Sequence, residues 1–489
     1  MKYDAVVVGG GHNGLVAAAY LGRAGKRVLV LERLPHVGGA AVSAQPFDGV
    51  EARLSRYSYL VSLLPARIVG ELGLPFRVAR RRYSSYSPDP AADGRTGLLV
   101  DPHTGIADDF YRRCRSVTQP LWPTMTEPLL TRSQARELVD AEAAWAAMID
   151  EPIGHAIRAA VSNDLVRGVI ATDALIGTFA RLDEESLRQN VCFLYHLIGG
   201  EWDVPVGGMG ALTDALVQAA RRYGVEILTA AEVFAIDPDG EVRYWAADDE
   251  RRVQGRFVLA GVTPTVLASL LGEETPSAAP GSQVKVNMML RRLPRVRDDT
   301  VTAEQAFAGT FHINETYSQL EAAYARAADG RLPDPLPCEI YCHSLTDPSI
   351  LSPSLRASGA QTLTVFGLHT PHGLGSREEM TEAVFESMNS VLAEPIQDVV
   401  MPGCIETKTT RDLEQTLGMT AGNIFHGALT WPFAEDDEPL DTPARRWGVA
   451  TLHDRVVLCG AGSQRGGGVS GIGGHNAAMA VLESDPHRN

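Results

Sequence analysis

Residues 6–32 read VVVGGGHNGLVAAAYLGRAGKRVLVLE. An apolar run enters three glycines, a helix of small residues follows, and a second apolar run closes on an acid. Tyr3–Val8 has the make-up of a buried strand. Gly9, Gly11 and Gly14 match G-x-G-x-x-G, and the spacing predicts a helix from about Asn13 to Ala24 with Gly25 as its stop. Leu15, Ala18, Ala19 and Gly22 share one face of that helix, small enough to let it lie close on a sheet. The segment RVLVLE then supplies a second strand ending at Glu32.

Each part has a physical task. Gly9 permits a tight turn, Gly11 lets backbone approach a pyrophosphate, and Gly14 allows close helix–strand packing. The helix N-terminus adds unpaired N–H groups and a partial positive charge. His12 and Asn13 sit in this turn, where His12 shapes the loop rather than reacts. Glu32, followed by Arg33, is placed to accept hydrogen bonds from a ribose, and a carboxylate there repels a 2′-phosphate.

A second glycine pair, Gly38-Gly39 before Ala40 and Ala41, follows the acid closely. That placement is familiar from flavoproteins, where the pair passes beneath FAD. The other end of the chain reads RVVLCGAGSQRGGGVSGIGGHNAAMAVLE. Residues 455–459 form a strand pattern, Gly460, Ala461, Gly468, Val469 and Ser470 lie in the glycine-rich stretch after it, and Asn476–Leu482 reads as a helix. A helix N-terminus here suits the pyrimidine side of an isoalloxazine, where negative charge collects on reduction. The cofactor expected is FAD.

Hydrophobic residues make up 45% of the 489 and charged residues 21%, a globular balance, and the length calls for two lobes. A formal net charge of −16 argues against a nucleic-acid partner. The basic knot Arg77–Arg82 reads as a solvated face, with a peripheral membrane contact or an anionic substrate as the alternatives. Six scattered cysteines read as reduced thiols; Cys338 and Cys342 share a strand face without forming a metal cage, and no metal site is expected. No apolar run is long enough for a membrane span, and the first strand begins too soon for a leader, so a cytoplasmic location is expected.

A middle block fits the cofactor lobe too: a helix at 211–222, strands near 225–229, 231–237, 241–246 and 256–260, and a turn at 237–240. The expected organisation is a discontinuous FAD-binding domain (1–75, 200–265 and 445–489) and a substrate-binding domain (76–199 and 266–444). In the second, residues 282–293 put Val284, Val286, Met288 and Leu290 on one strand face and Lys285, Asn287 and Arg291 on the other. CEIYCHSL and QTLTVFGLHT are further strands of an antiparallel sheet, 378–392 is an amphipathic helix, and 105–200 is a helical cap. Pro and Gly mark loops at 85–104 and 329–357.

Together, GGGHNGLVAAAYLGRAGKRVLVLE, GGAAVS, WDVPVGGMGALTDAL (202–216), TRDLEQTLGMTAGNIFHGAL (410–429) and LCGAGSQRGGGVSGIGGHNAA (458–478) resemble the FAD-dependent phytoene desaturase-related oxidoreductases. The nearest group is the one named for pyridine nucleotide-disulfide oxidoreductase domain-containing protein 2. The resemblance spans nearly the whole chain. It implies an α/β fold: a Rossmann-like FAD lobe beside a substrate lobe with an antiparallel sheet and helical cap, akin to amine oxidases and carotenoid desaturases. It also implies that the Val233 backbone holds the adenine. Arg465 departs from the pattern, standing where relatives often carry proline, and residues 431–450 match poorly.

The expected chemistry is a desaturase or dehydrogenase reaction: a substrate C–H gives hydride to flavin N5 while a proton leaves, and a double bond forms in an apolar or semi-apolar small molecule. Gly208-Met-Gly210 does not continue to a third glycine, so no separate NAD(P)H site is expected and oxygen, a quinone or another carrier would reoxidise the flavin. Alternatives are an amine oxidase, a flavin-dependent isomerase, and a non-catalytic escort protein of the same fold. His196 and His426 are the candidate catalytic residues, ahead of Arg56 and Tyr57; a core role competes for each. Cys459 abuts the flavin loop without further sign of a covalent link.

Overall fold

The computed structural model describes residues 2–101 and 105–485. Val6, Val7 and Val8 are almost wholly buried, as a strand flanked on both sides requires. Lys2–Val8 pairs in parallel with Val28–Leu31 on one side and with the end of Asp249–Ala260 on the other. The full sheet has seven strands, in the order Ala231–Ile236, Glu241–Ala246, Asp249–Ala260, Lys2–Val8, Val28–Leu31 and Glu226–Leu228, with Val456–Leu458 against Asp249–Ala260. Val8 is level with Leu31 and with Ala260, and Ala260 with Leu458, so four parallel strands end at one rim. The rim is where open α/β sheets take ligands.

The helix His12–Arg23 packs on Gly210–Arg222 and on Ile472–Ser484. Glycine makes the second crossing possible: a Cβ on Gly474 would lie 2.0 Å from the Asn13 carbonyl oxygen. That corrects the expected helix start at Asn476. The helix begins at Ile472, after Gly471 in left-handed backbone (φ 72°), and Gly473 and Gly474 belong to it as contact residues.

The second sheet has the order Val400–Lys408, Ser282–Leu290, Gln361–Pro371, Cys338–Tyr341, Thr310–Ile313, Ser85–Pro88 and Gly97–Val100. Its pairs are antiparallel except Thr310–Ile313 with Ser85–Pro88. One expectation is corrected here. The segment read as a loop from residue 85 is largely a hairpin that extends the sheet, while residues 102–104 lie outside the described residues. Ser282–Leu290 is buried on both faces, so Lys285 and Asn287 turn inward. The amphipathic helix is Arg377–Asn389, with Met380, Val384 and Met388 buried beneath the sheet. Asp108–Leu121, Arg188–Ile198 and the short helices between them form a helical layer around Trp145 and Phe193.

All six cysteines are buried and unpaired. Among the described residues no helix is long and apolar enough to cross a membrane.

Candidate functional site

A cavity of about 760 Å³ runs from the rim of the parallel sheet to the inner face of the second sheet. That is a ligand-sized volume. At the rim, Gly9 adopts φ 100°, and a Cβ on Gly14 would lie 2.3 Å from the Gly9 carbonyl oxygen, so turn and helix close on each other. Nothing lies within 4 Å of a Cβ placed on Gly11, which borders the cavity. Glu32 is buried and accepts the N–H groups of Gly10 (2.7 Å) and Leu34 (2.8 Å), which ties the first turn to the end of the second strand.

The chain ends meet here. His12 Nε2 lies 3.2 Å from the Gly468 carbonyl oxygen, and desolvation lowers the imidazole pKa to about 4, leaving it neutral. Gly38 donates its N–H to the Gly10 carbonyl, laying the second glycine pair against the first. Gly9, Gly11, His12, Asn13, Gly14, Glu32, Arg33, Gly39, Ala40, Val233, Gly460, Ala461, Gly468 and Val469 all border the cavity. Gly38, Ala41 and Ser470 do not: Gly38 and Ala41 pack on Thr213, whose Oγ1 donates to the Ala41 carbonyl, and the Ser470 hydroxyl accepts the Ile472 N–H.

Arg465 stands in left-handed backbone (φ 67°) beside this loop and is 1% exposed. Its guanidinium donates to the carbonyls of Thr124, Glu127 and Trp447 at 2.8, 2.7 and 3.2 Å. The residue that departs from the family pattern thus ties the glycine-rich loop to the helical layer.

The opposite end of the cavity is polar. His196 Nε2 lies 3.1 Å from Asp173 Oδ1, and its ring packs on Trp202 at 4.7 Å. Desolvation, with Arg81 and His312 adding to it, lowers His196 to about 3, while burial and the charges of Glu339 and Glu315 push Asp173 well above the usual carboxylate range. Glu339 accepts from Tyr341 (2.5 Å) and Thr172 (3.2 Å), and burial and Glu315 push it up to about 7. Arg81, read above as part of a solvated knot, borders the cavity and donates to the Trp202 carbonyl (3.0 Å) and Thr310 (2.7 Å). Tyr59 and Tyr341 stand 4.8 Å apart, and Lys285 Nζ lies 4.7 Å from the Tyr59 ring while donating to the carbonyls of Ser55 and Tyr57.

Of the two candidate histidines, His196 lies in this polar end and His426 beside His12 near the glycine loops, with its pKa lowered to about 4 by burial and by His12. The two are not neighbours in one acid–base pair. Tyr57 borders the cavity, whereas Arg56 is spent on Glu406 at 2.7 Å. Cys459 is fully buried and does not border the cavity, and burial raises its thiol to about 12. Asp173, Glu339 and His312 escaped the sequence reading, since each sits in an unremarkable local context.

A dinucleotide-type rim joined to a cavity with a polar end defines the class: an α/β oxidoreductase with a Rossmann-like nucleotide-binding unit. A family model described as "NAD(P)-binding Rossmann-like domain" matches residues 7–65. The chain belongs to the family of uncharacterized protein Rv0897c of Mycobacterium tuberculosis, to which it is 66% identical over 98% of its length and 97% of that protein's. It is homologous to pyridine nucleotide-disulfide oxidoreductase domain-containing protein 2 of Rattus norvegicus, at 28% identity over 98% of this chain and 93% of that one. Among solved structures, putrescine oxidase bound to putrescine matches with a TM-score of 0.60 at 15% identity, covering 100% of both chains. Cyclohexylamine oxidase from Brevibacterium oxydans IH-35A gives 0.59 at 15%, covering 99% of each. These two likenesses are of fold.

Proposed function

We propose that the chain is an FAD-dependent dehydrogenase or desaturase that forms a double bond in a small molecule held across the cavity. The observation that carries this reading is the continuity of one cavity from the glycine loops to the Asp173–His196 pair. The residues fit the dinucleotide: Gly11 leaves open space on the cavity side, and the Asn13 side-chain oxygen is buried there without a partner. Gly9, Gly11, Gly14, Glu32, Gly39, Val233, Gly460 and Gly468 would hold it, within a domain built from residues 1–75, 200–265 and 445–489. FAD, when bound, supplies the acceptor for hydride leaving a substrate C–H. The chain's own task is to orient the substrate, exclude water and take the proton. Only ionised Asp173 can take that proton; desolvation makes it the stronger base in that form, and His196 Nε2 would hold the carboxylate in position. Arg81, Asp173 and Glu339 border the cavity, and a purely hydrocarbon substrate would displace their water without replacing its hydrogen bonds, so the substrate has an apolar body and a polar end. The domain of residues 76–199 and 266–444 would bind it, in a cytoplasmic protein that passes electrons to oxygen, a quinone or another carrier.

Oxidation of a C–N bond is the second reading. Carboxylates beside the Tyr59–Tyr341 pair suit a cationic nitrogen, and putrescine oxidase shares the fold. Purified protein with absorbance near 450 nm, bleached anaerobically by candidate alcohols, acyl compounds, isoprenoids or amines, tests both readings. Replacing Asp173→Asn is expected to slow bleaching about 10²–10⁴-fold with flavin still bound. A colourless protein that takes up no FAD ends the proposal, and peroxide formed from amines alone selects the second reading.

A further inference from the structure

His312 and Glu339 face each other across two paired strands, Thr310–Ile313 and Cys338–Tyr341. Asn314 then turns the chain through left-handed backbone (φ 58°) and brings Glu315 back beneath His312. One donor atom from each of His312, Glu315 and Glu339 lies within 4.8 Å of the others, and all three residues are buried. His312 Nδ1 is 2.7 Å from Glu315 Oε2 and 3.8 Å from Glu339 Oε1. Neighbouring ligands in a sphere of roughly 2.1 Å bonds stand about 3 Å apart, so small side-chain shifts complete the geometry.

Two further observations point to a missing positive charge. Glu315 Oε1 is buried with no hydrogen-bond partner. Three carboxylates act on one another here (Asp173, Glu315 and Glu339), while Arg81, whose charge reaches Asp173, spends Nε and Nη1 on Trp202 and Thr310. Buried carboxylates without a counter-charge are costly. We infer that His312, Glu315 and Glu339 form a binding site for one divalent first-row transition-metal ion at the polar end of the cavity. A nitrogen-plus-carboxylate set suits Zn²⁺ or Mn²⁺ rather than soft metals. His312 and Glu339 border the cavity and Glu315 does not, so the ion's open positions face the chamber, where they would take water or a substrate oxygen or nitrogen. The sequence reading expected no metal, because these ligands lie on two separate strands and a turn. Sequence spacing joins only His312 and Glu315.

The test reads metal, not turnover. Flavin-loaded protein is stripped with a chelator and titrated with ZnCl₂ under equilibrium dialysis. The expected result is about one Zn²⁺ per chain, with affinity reduced at least ~10-fold in His312→Gln and in Glu315→Gln. His453→Gln, which removes the surface histidine paired with Glu273, should leave Zn²⁺ binding intact. Folded wild-type protein that takes up less than roughly 0.1 equivalent, or His312→Gln that binds as wild type does, overturns the inference. If the ligand variants do not fold, wild-type protein loaded with MnCl₂ decides: nitrogen coupling from one imidazole in the paramagnetic resonance spectrum supports the site, and its absence overturns it. Flavin absorbance in the same samples keeps this outcome separate from the proposed function.

Discussion

Glu32 carries two tasks on one carboxylate. The sequence places an acid where a ribose is gripped, but in the fold both oxygens also accept backbone N–H groups, from Gly10 and Leu34. A carboxylate has lone pairs left for a ribose after two such bonds. An amide does not replace it, because one of its two positions becomes a donor facing an N–H. Glu32→Gln is therefore expected to lower stability by about 1–3 kcal/mol even without dinucleotide, and to weaken FAD binding as well. Urea denaturation of the cofactor-free protein checks the first part. Equal midpoints for Glu32→Gln and wild type would mean that the carboxylate only serves the ligand.

At the scale of elements, the sequence was legible where period and punctuation agreed. Lys2–Val8, His12–Arg23, Val28–Leu31 and Gly210–Arg222 fall within a residue or two of their expected bounds. It misled where composition hid a contact. Gly473 and Gly474 read as loop because glycine weakens helices, yet Gly474 is where two helices cross and Gly473 lies against the Cys459–Ser463 loop. The first half of Asp249–Ala260 is charged and exposed, so only its apolar end reads as strand, although its exposed half pairs with Glu241–Ala246. Alternation put Lys285 and Asn287 on the face opposite Val284 and Val286, and it did not show that this face closes on the Ser55–Tyr57 backbone. Arg465 marks an element junction that local sequence flagged only as a departure. Its three carbonyl partners belong to the helical layer and to the segment before the last strand, so Arg465→Met would leave all three without that donor in the interior. A loss of roughly 3 kcal/mol is expected in chemical denaturation, with less lost in Arg465→Lys. A destabilisation below about 0.5 kcal/mol would show that the carbonyls find other partners and that the latch is incidental.

For the whole molecule, the rim of the cavity was legible because one local motif builds most of it. The polar end was not, because Asp173, His312 and Glu339 come from a helical layer and two strands that only the tertiary fold assembles. The same burial makes stability depend on pH in a calculable direction. Desolvation lowers His12, His312 and His426 to about 4 and His196, His343 and His369 to about 3. In the unfolded chain these six titrate near pH ~6.5, so below that pH unfolding takes up protons and the fold loses stability as pH falls. Asp173, Glu315 and Glu339 act oppositely, since burial raises them, and the stability they add at low pH is lost as pH rises. The lowered histidines, His475 among them, outnumber the raised carboxyls, so unfolding near pH ~5.5 takes up protons on balance and stability falls as pH falls. Urea unfolding of chelator-treated protein between pH ~6.5 and ~5 measures it directly. A flat profile, or stability that rises as pH falls, would mean that these histidines are solvated in the folded protein and that the interior is wetter than its packing implies.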